Sequence, residues 1–262
     1  MDIATFYSSL AGLSPGSPMF VGRMETLHDM FLRLSHPDMP GIAVVGPRRS
    51  GKTSLLKQLL SPEFRARHRR EAAEWGVAYE DLSSRRWGGF DAFRARLLTV
   101  VDRAAGRTTM REPDRDACLV DEVAEAVAWA RRPLVVLLDE FDSIAAELRD
   151  LDQGEIRGAL VNVPQFTIVV GMARQPGNSL EFVGDVVSDL APVLAVAHPL
   201  LGELNPDEAA RLVRLGRELA SLETDPEAER LVLETVGNHH PWLLHAACFA
   251  WYAEVGRVTA GS

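Results

Sequence analysis

The chain has 262 residues, 47% apolar and 25% charged, enough to bury a sizeable core as one large domain or one domain with a small companion. No stretch approaches the roughly 20 consecutive apolar residues of a membrane span, and residues 1–6 lack the basic and apolar parts of a secretory leader. A formal charge of −9 counts against a chain built mainly to hold nucleic acid, and the two distant cysteines, Cys118 and Cys248, suggest neither a disulfide framework nor a metal site and fit a reducing cytoplasm.

Residues 1–19 end in the turn-rich run Ser14-Pro15-Gly16-Ser17-Pro18, which reads as a linker. A helix is predicted over 24–34. Gly41-Ile42-Ala43-Val44-Val45 then has the uninterrupted apolar character of a parallel strand covered on both faces. Helical patterning resumes over 52–60. The basic cluster from Phe64 to Arg70 reads either as a solvated helix face or as a contact for phosphates or an acidic partner.

A second strand is expected over 76–82, followed by helices over 90–105 and 114–130. The stripe Phe93, Leu97 and Val101 marks the buried face of the first of these. Pro133-Leu134-Val135-Val136-Leu137-Leu138 is the strongest buried-strand signal, with further strands over 166–171 and 192–196. Strands alternating with helices imply a mostly parallel sheet. Past Leu200 the strand signal stops and three helices follow. Asn205-Pro206-Asp207-Glu208 and Asp225-Pro226-Glu227 each combine a capping side chain, proline at the first helical position and acids in the first turn. The third opens at Pro241, and its aromatics Trp242, Phe249, Trp251 and Tyr252 are expected in the core of this helical lid. The organisation expected is a segment over 1–19, an α/β core over 20–200 and an all-helical lid over 201–262.

Gly46-Pro47-Arg48-Arg49-Ser50-Gly51-Lys52-Thr53 matches G-x-x-x-x-G-K-[ST] between a predicted strand and a predicted helix. Glycines in such a loop let successive N–H groups converge on phosphates, and the helix N-terminus adds partial positive charge. Residues Gly46 to Ser54 are therefore candidate ATP-binding residues, with Lys52 directed at the β- and γ-phosphates and Thr53 a ligand of Mg²⁺. Only two of the 28 basic residues are lysines, so Lys52 stands out as chosen for its chemistry.

The buried strand ending at Asp139-Glu140-Phe141-Asp142 supplies the second element. A carboxylate at the C-terminal edge of a parallel strand faces the ligand crevice. Asp139 is the candidate to hold Mg²⁺ and Glu140 the candidate general base for an attacking water; Asp142 suits a helix N-cap. Arg174, just past the 166–171 strand, is either a sensor of the terminal phosphate or a surface arginine.

These motifs, with Phe20-Val21-Gly22-Arg23 ahead of the first helix and His240-Pro241-Trp242-Leu243-Leu244 in the lid, resemble the STAND and AAA-type P-loop ATPases, to which origin-recognition-type initiators are related. The resemblance spans Phe20 to Glu254 and implies a five-stranded, mostly parallel P-loop sheet flanked by helices, with a small helical lid. It implies that Phe20, Val21 and Arg23 line an adenine pocket, that Pro241 touches the nucleotide, that His240 approaches the β-phosphate and that Arg174 is the sensor arginine. Asn238-His239 stands where the family often has two glycines, a departure in the lid loop. The function implied is a slowly hydrolysing ATP switch whose core and lid close on ATP·Mg²⁺ and control a protein partner or self-assembly. A DNA-acting initiator or loader is the alternative, against which the acidic balance counts.

Overall fold

The computed structural model describes residues 7, 12–36, 39, 41–83, 89–108, 117–145, 147–173, 188–219, 225–237 and 239–260. Its centre is a five-stranded sheet of β1 (Gly41–Gly46), β2 (Gly76–Asp81), β3 (Leu134–Asp139), β4 (Phe166–Ala173) and β5 (Leu194–Val196), in the order β2-β3-β4-β1-β5. Every pairing is parallel, from Ile42 opposite Val169 to Asp81 opposite Asp139. The expected β5 began at Pro192, but proline has no N–H for a ladder; residues 191–193 form a 3-10 turn and the strand starts after it.

Alternation along the strands sends successive side chains to opposite faces. Ala43, Val45, Val136, Leu138, Ile168 and Val170 point to one side. There they meet α4 (Phe90–Ala105), α5 (Leu119–Ala130), the single turn α6 (Asp142–Ala145) and α7 (Asp150–Asn162). Ile42, Val44, Val135, Leu137 and Val169 point to the other. They meet α1 (Met24–Leu34) and α2 (Lys52–Gln58), next to which lies α3 (Pro62–His68). α1 buries Leu27, Met30, Phe31 and Leu34, an i, i+3, i+4, i+7 stripe.

The basic cluster is not a uniform solvated face. Arg65 is buried, and its guanidinium donates to the carbonyls of Leu59, Ala72, Ala73 and Trp75. It thereby joins the end of α2 to the 3-10 turn over Arg70–Glu74.

The C-terminal part packs α8 (Pro206–Leu219), α9 (Pro226–Val236) and α10 (Pro241–Ala260) around a separate apolar cluster. Both expected caps are in place. Asn205 Oδ1 accepts from Glu208 N at 2.9 Å while Glu208 returns to Asn205 N, and Asp225 Oδ1 accepts from Ala228 N at 3.0 Å. Of the lid aromatics, Tyr252 is buried, whereas Phe249 is 43% exposed and Trp242 faces the core.

The turn-rich N-terminal run is a packed segment rather than a spacer. Leu13 N donates to Ser54 Oγ at 3.1 Å and Gln58 Nε2 to Ser14 O at 2.9 Å, fixing it along α2. Tyr7 is buried in the lid cluster, its hydroxyl donating to Val213 O at 2.7 Å and accepting from Gly216 N at 3.0 Å. These contacts bridge more than 200 residues of chain, so no local pattern announces them.

Candidate nucleotide site between core and lid

An all-parallel sheet collects the C-terminal ends of its strands along one edge. The loop after β1 and the acids ending β3 therefore share that edge, with β4 between their strands. Arg49 and Gly51 take left-handed conformations, φ 63° and 98°, which curl the loop into the start of α2. A Cβ on Gly51 would meet nothing within 4 Å, so glycine is needed there for its backbone angle, not for space. At Gly46 the need is space: a Cβ would lie 2.4 Å from Leu201 O.

Lys52 is buried, and its ammonium donates to the loop carbonyls of Gly46 at 3.1 Å and Pro47 at 2.9 Å. Burial lowers its pKa; Glu140, Asp139 and Asp142 oppose that shift, while exposed Arg48 adds to it. Asp139, only 1% exposed, is held on both oxygens: Tyr79 donates its hydroxyl to Oδ2 at 3.0 Å and Glu140 N reaches Oδ1 at 3.1 Å. A Cβ at Gly171 would stand 2.6 Å from Asp139 Oδ1, so β4 makes room for this carboxylate. Glu140 is half-buried with φ 53°, a strained angle for a non-glycine residue. Burial raises its pKa, against the opposing pull of Lys52. Asp142 Oδ1 accepts from Ala173 N at 3.0 Å and ties the turn after β3 to the end of β4.

A cavity of about 330 Å³ opens over these groups. Residues 49–54 line it with Asp139 and Glu140, and so do Phe20, Val21, Arg23 and Pro241. The geometry thus gathers most of the residues singled out from sequence. Several fare differently. Gly46 and Pro47 act through the carbonyls that hold Lys52, and Arg48 points outward. Arg23 reaches the cavity, but its guanidinium donates to Ser50 O at 3.0 Å, Gly202 O at 2.5 Å and Glu203 O at 3.1 Å, clasping the loop to the entry of the lid. Ser54 lines the wall while its hydroxyl holds Leu13 N.

The expected approach of His240 to phosphate is not seen. His240 lies before the first residue of α10, its carbonyl taking Leu244 N, and its side chain does not form part of the cavity wall. Arg174 lies outside the described residues. The wall also contains residues the sequence reading did not assign to it: Leu13, Met19, Asp81, Leu204, Trp242 and His245. Trp242 and His245 share a face with Pro241 at helical spacing, and that spacing is the signal that could have found them.

A phosphate loop and an acid pair on one edge of a parallel sheet, with a strand between them and a helical lid above, define a P-loop NTPase of the STAND and AAA type. The chain belongs to the Novel STAND NTPase 1 family, whose model matches residues 9–260. Its fold is shared by the Walker-type ATPase PABY2304 of Pyrococcus abyssi at 12% identity and a TM-score of 0.65, over 97% of this chain and 77% of that one. The ADP form of the Aeropyrum pernix ORC2 protein aligns at 15% identity and a TM-score of 0.65, over 98% and 68% of the two chains. Domain III of the Thermotoga maritima replication initiation protein DnaA aligns at 17% identity and a TM-score of 0.51, over 91% and 88%. No curated protein matches the chain in sequence. Among the described residues, no helix is long and apolar enough to cross a membrane.

Proposed function

We propose that the chain binds ATP between core and lid, hydrolyses it slowly, and uses the difference between bound and released states to control a protein partner or its own assembly, in the cytoplasm. The observation that carries this reading is the single cavity shared by Lys52, Asp139 and Glu140 on the core and by Leu204, Leu212, Pro241 and Trp242 on the lid. A ligand contacting both parts favours the closed arrangement, and only such differential contact shifts an equilibrium.

The residues fit a triphosphate. Ser50 Oγ is buried at the loop without a hydrogen-bond partner among the described residues. Lys52 is held by neutral carbonyls, which a phosphate oxygen would outcompete for its charge. The donor set also suits Mg²⁺, a hard cation that takes one or two protein oxygens beside phosphates and water. Thr53 and Asp139 would hold it, and bound there it would neutralise charge on the β- and γ-phosphates.

In hydrolysis, the water oxygen forms a bond to the γ-phosphorus and the bond to the ADP oxygen breaks. Glu140 takes the proton of that water, a role its burial-raised pKa favours. Lys52 and the loop N–H groups hold the phosphates in line. Arg174 is proposed to contact the terminal phosphate.

Calorimetric titration with ATP·Mg²⁺ tests the site: wild type should bind, and Lys52→Ala should lose binding. Unchanged affinity in Lys52→Ala would remove the assignment. Light scattering with and without a non-hydrolysable analogue tests assembly, where an increase in size supports the switch and constant size counts against self-association. A DNA-acting role is the second reading, favoured by structural relatives such as the Aeropyrum pernix ORC1 protein solved in complex with DNA. Affinity for duplex DNA that falls steeply with salt would support it.

A further inference from the structure

The cavity has chemically mixed walls. Besides the loop and the acids, Leu13, Met19, Phe20, Val21, Leu204 and Leu212 line it, all members of the lid's apolar cluster or packed against it. His245 of α10 also lines the cavity, three residues after Trp242. Arg23, which also lines the cavity, is committed to the carbonyls of Ser50, Gly202 and Glu203.

The ring of His245 is fixed from behind. Tyr7 packs edge-on against it with centroids 5.7 Å apart, and Nδ1 is buried without a hydrogen-bond partner among the described residues. A sealed nitrogen is costlier as an orphaned N–H than as a bare lone pair. The proton therefore belongs on Nε2, the nitrogen left to meet a ligand. Burial also holds the imidazole neutral, with its pKa pushed down to about 4, so the ring is a neutral donor at physiological pH.

A pocket of mostly apolar walls with one or two placed polar groups is how proteins seat and discriminate flat heteroaromatic ligands. We infer that His245 is the base-reading residue of the nucleotide site, donating from Nε2 to an unprotonated ring nitrogen of a purine held among Leu13, Phe20, Val21, Leu204 and Leu212. The inference rests on the ATP reading and adds to it the residue that recognises the base. Phosphate affinity and base recognition then reside on different parts of the molecule, the loop on the core and the imidazole on the lid.

The test compares ATP with tripolyphosphate, a base-free probe of the same loop, by calorimetry with Mg²⁺. His245→Phe keeps a ring of similar size but removes the donor, and His245→Gln restores a donor. His245→Phe should weaken ATP about fivefold while leaving tripolyphosphate unchanged, and His245→Gln should recover part of the loss. Among 1-, 3- and 7-deaza-ATP, one analogue should bind wild type as weakly as ATP binds His245→Phe, which identifies the nitrogen that is read. This arm uses only wild type and stands if a variant fails to fold. Equal ATP affinity in wild type and His245→Phe, equal loss of both probes, or no deaza penalty would each overturn the inference while leaving the ATP site intact. Wild type that binds neither probe would remove the ATP reading and this inference with it.

Discussion

The guanidinium of Arg49 lies over the indole of Trp242, 4.0 Å from the ring centroid. One partner belongs to the phosphate loop and the other to the first turn of α10, so the two halves of the molecule touch at the edge of the cavity they share. A cation over tryptophan contributes about 0.5–1 kcal/mol at an exposed site. Phosphates arriving at the loop compete for the same guanidinium. Nucleotide binding should therefore change tryptophan emission, and the change should disappear in Trp242→Phe. An emission change of the same size in that variant would show that the contact persists when nucleotide binds.

Tyr79 acts on the site through Asp139. It donates to a carboxylate whose other oxygen is already held by Glu140 N, so removing the hydroxyl frees the group to rotate. Partners that orient a metal-facing carboxylate are worth about 10- to 100-fold in activity. Tyr79→Phe should lower phosphate release toward the bottom of that range and change ATP affinity much less, as single-turnover assays and calorimetry would show.

Glu140→Gln keeps the size of the side chain but removes its capacity to accept a proton. Removing a positioned base costs about 10²- to 10⁴-fold. ATP should stay bound while phosphate release falls by at least about 100-fold; undiminished release would exclude Glu140 as the base.

Much of this site was legible because its chemistry restricts residue types at fixed spacing. The backbone angle at 51 favours glycine; a phosphate calls for a cation such as Lys52, and a hard cation and an attacking water call for carboxylates such as Asp139 and Glu140. Helix starts at Asn205 and Asp225 were legible for a similar reason, since a cap is a local bond. Trp242 and His245 were legible only through their helical spacing from Pro241, because which face of α10 meets the core depends on how the lid docks. Arg65 lies in a run of basic residues that reads as surface, yet it is buried, donating to the carbonyl of Leu59 at the end of α2 and to those of Ala72, Ala73 and Trp75. Local patterning carries no trace of carbonyls contributed by residues six to ten positions away.

Tyr7 gives a stability test remote from the chemistry. Tyr7→Phe leaves Gly216 N and the carbonyl of Val213 without the hydroxyl they share, in a buried setting. The expected cost is about 1–3 kcal/mol, read by thermal unfolding. Gly216→Ala attacks the same contact from the other side, because its Cβ would come 2.3 Å from the Tyr7 ring. Both should destabilise, and the double variant should cost less than the two combined.

His245 also sets a pH dependence. Its folded pKa of about 4 lies below the ordinary value of 6.5, so between those values the unfolded chain binds more protons. Stability contributed by the neutral ring is present above pH 6.5 and is lost as pH falls through that window toward 4. The melting temperature of wild type should fall relative to that of His245→Phe as pH drops from 6.5 toward 4, because the variant lacks this proton uptake.

The N-terminal segment changes where a useful fragment can begin. A truncation starting at Phe20, the first motif residue, would strip α2 of its bond from Leu13 and leave a Tyr7-sized hole beside Tyr252 and Cys248. Leu13 would also be missing from the cavity that His245 lines. Such a clone would keep every signature residue and still give a weakened protein, so expression boundaries should be drawn upstream of Tyr7.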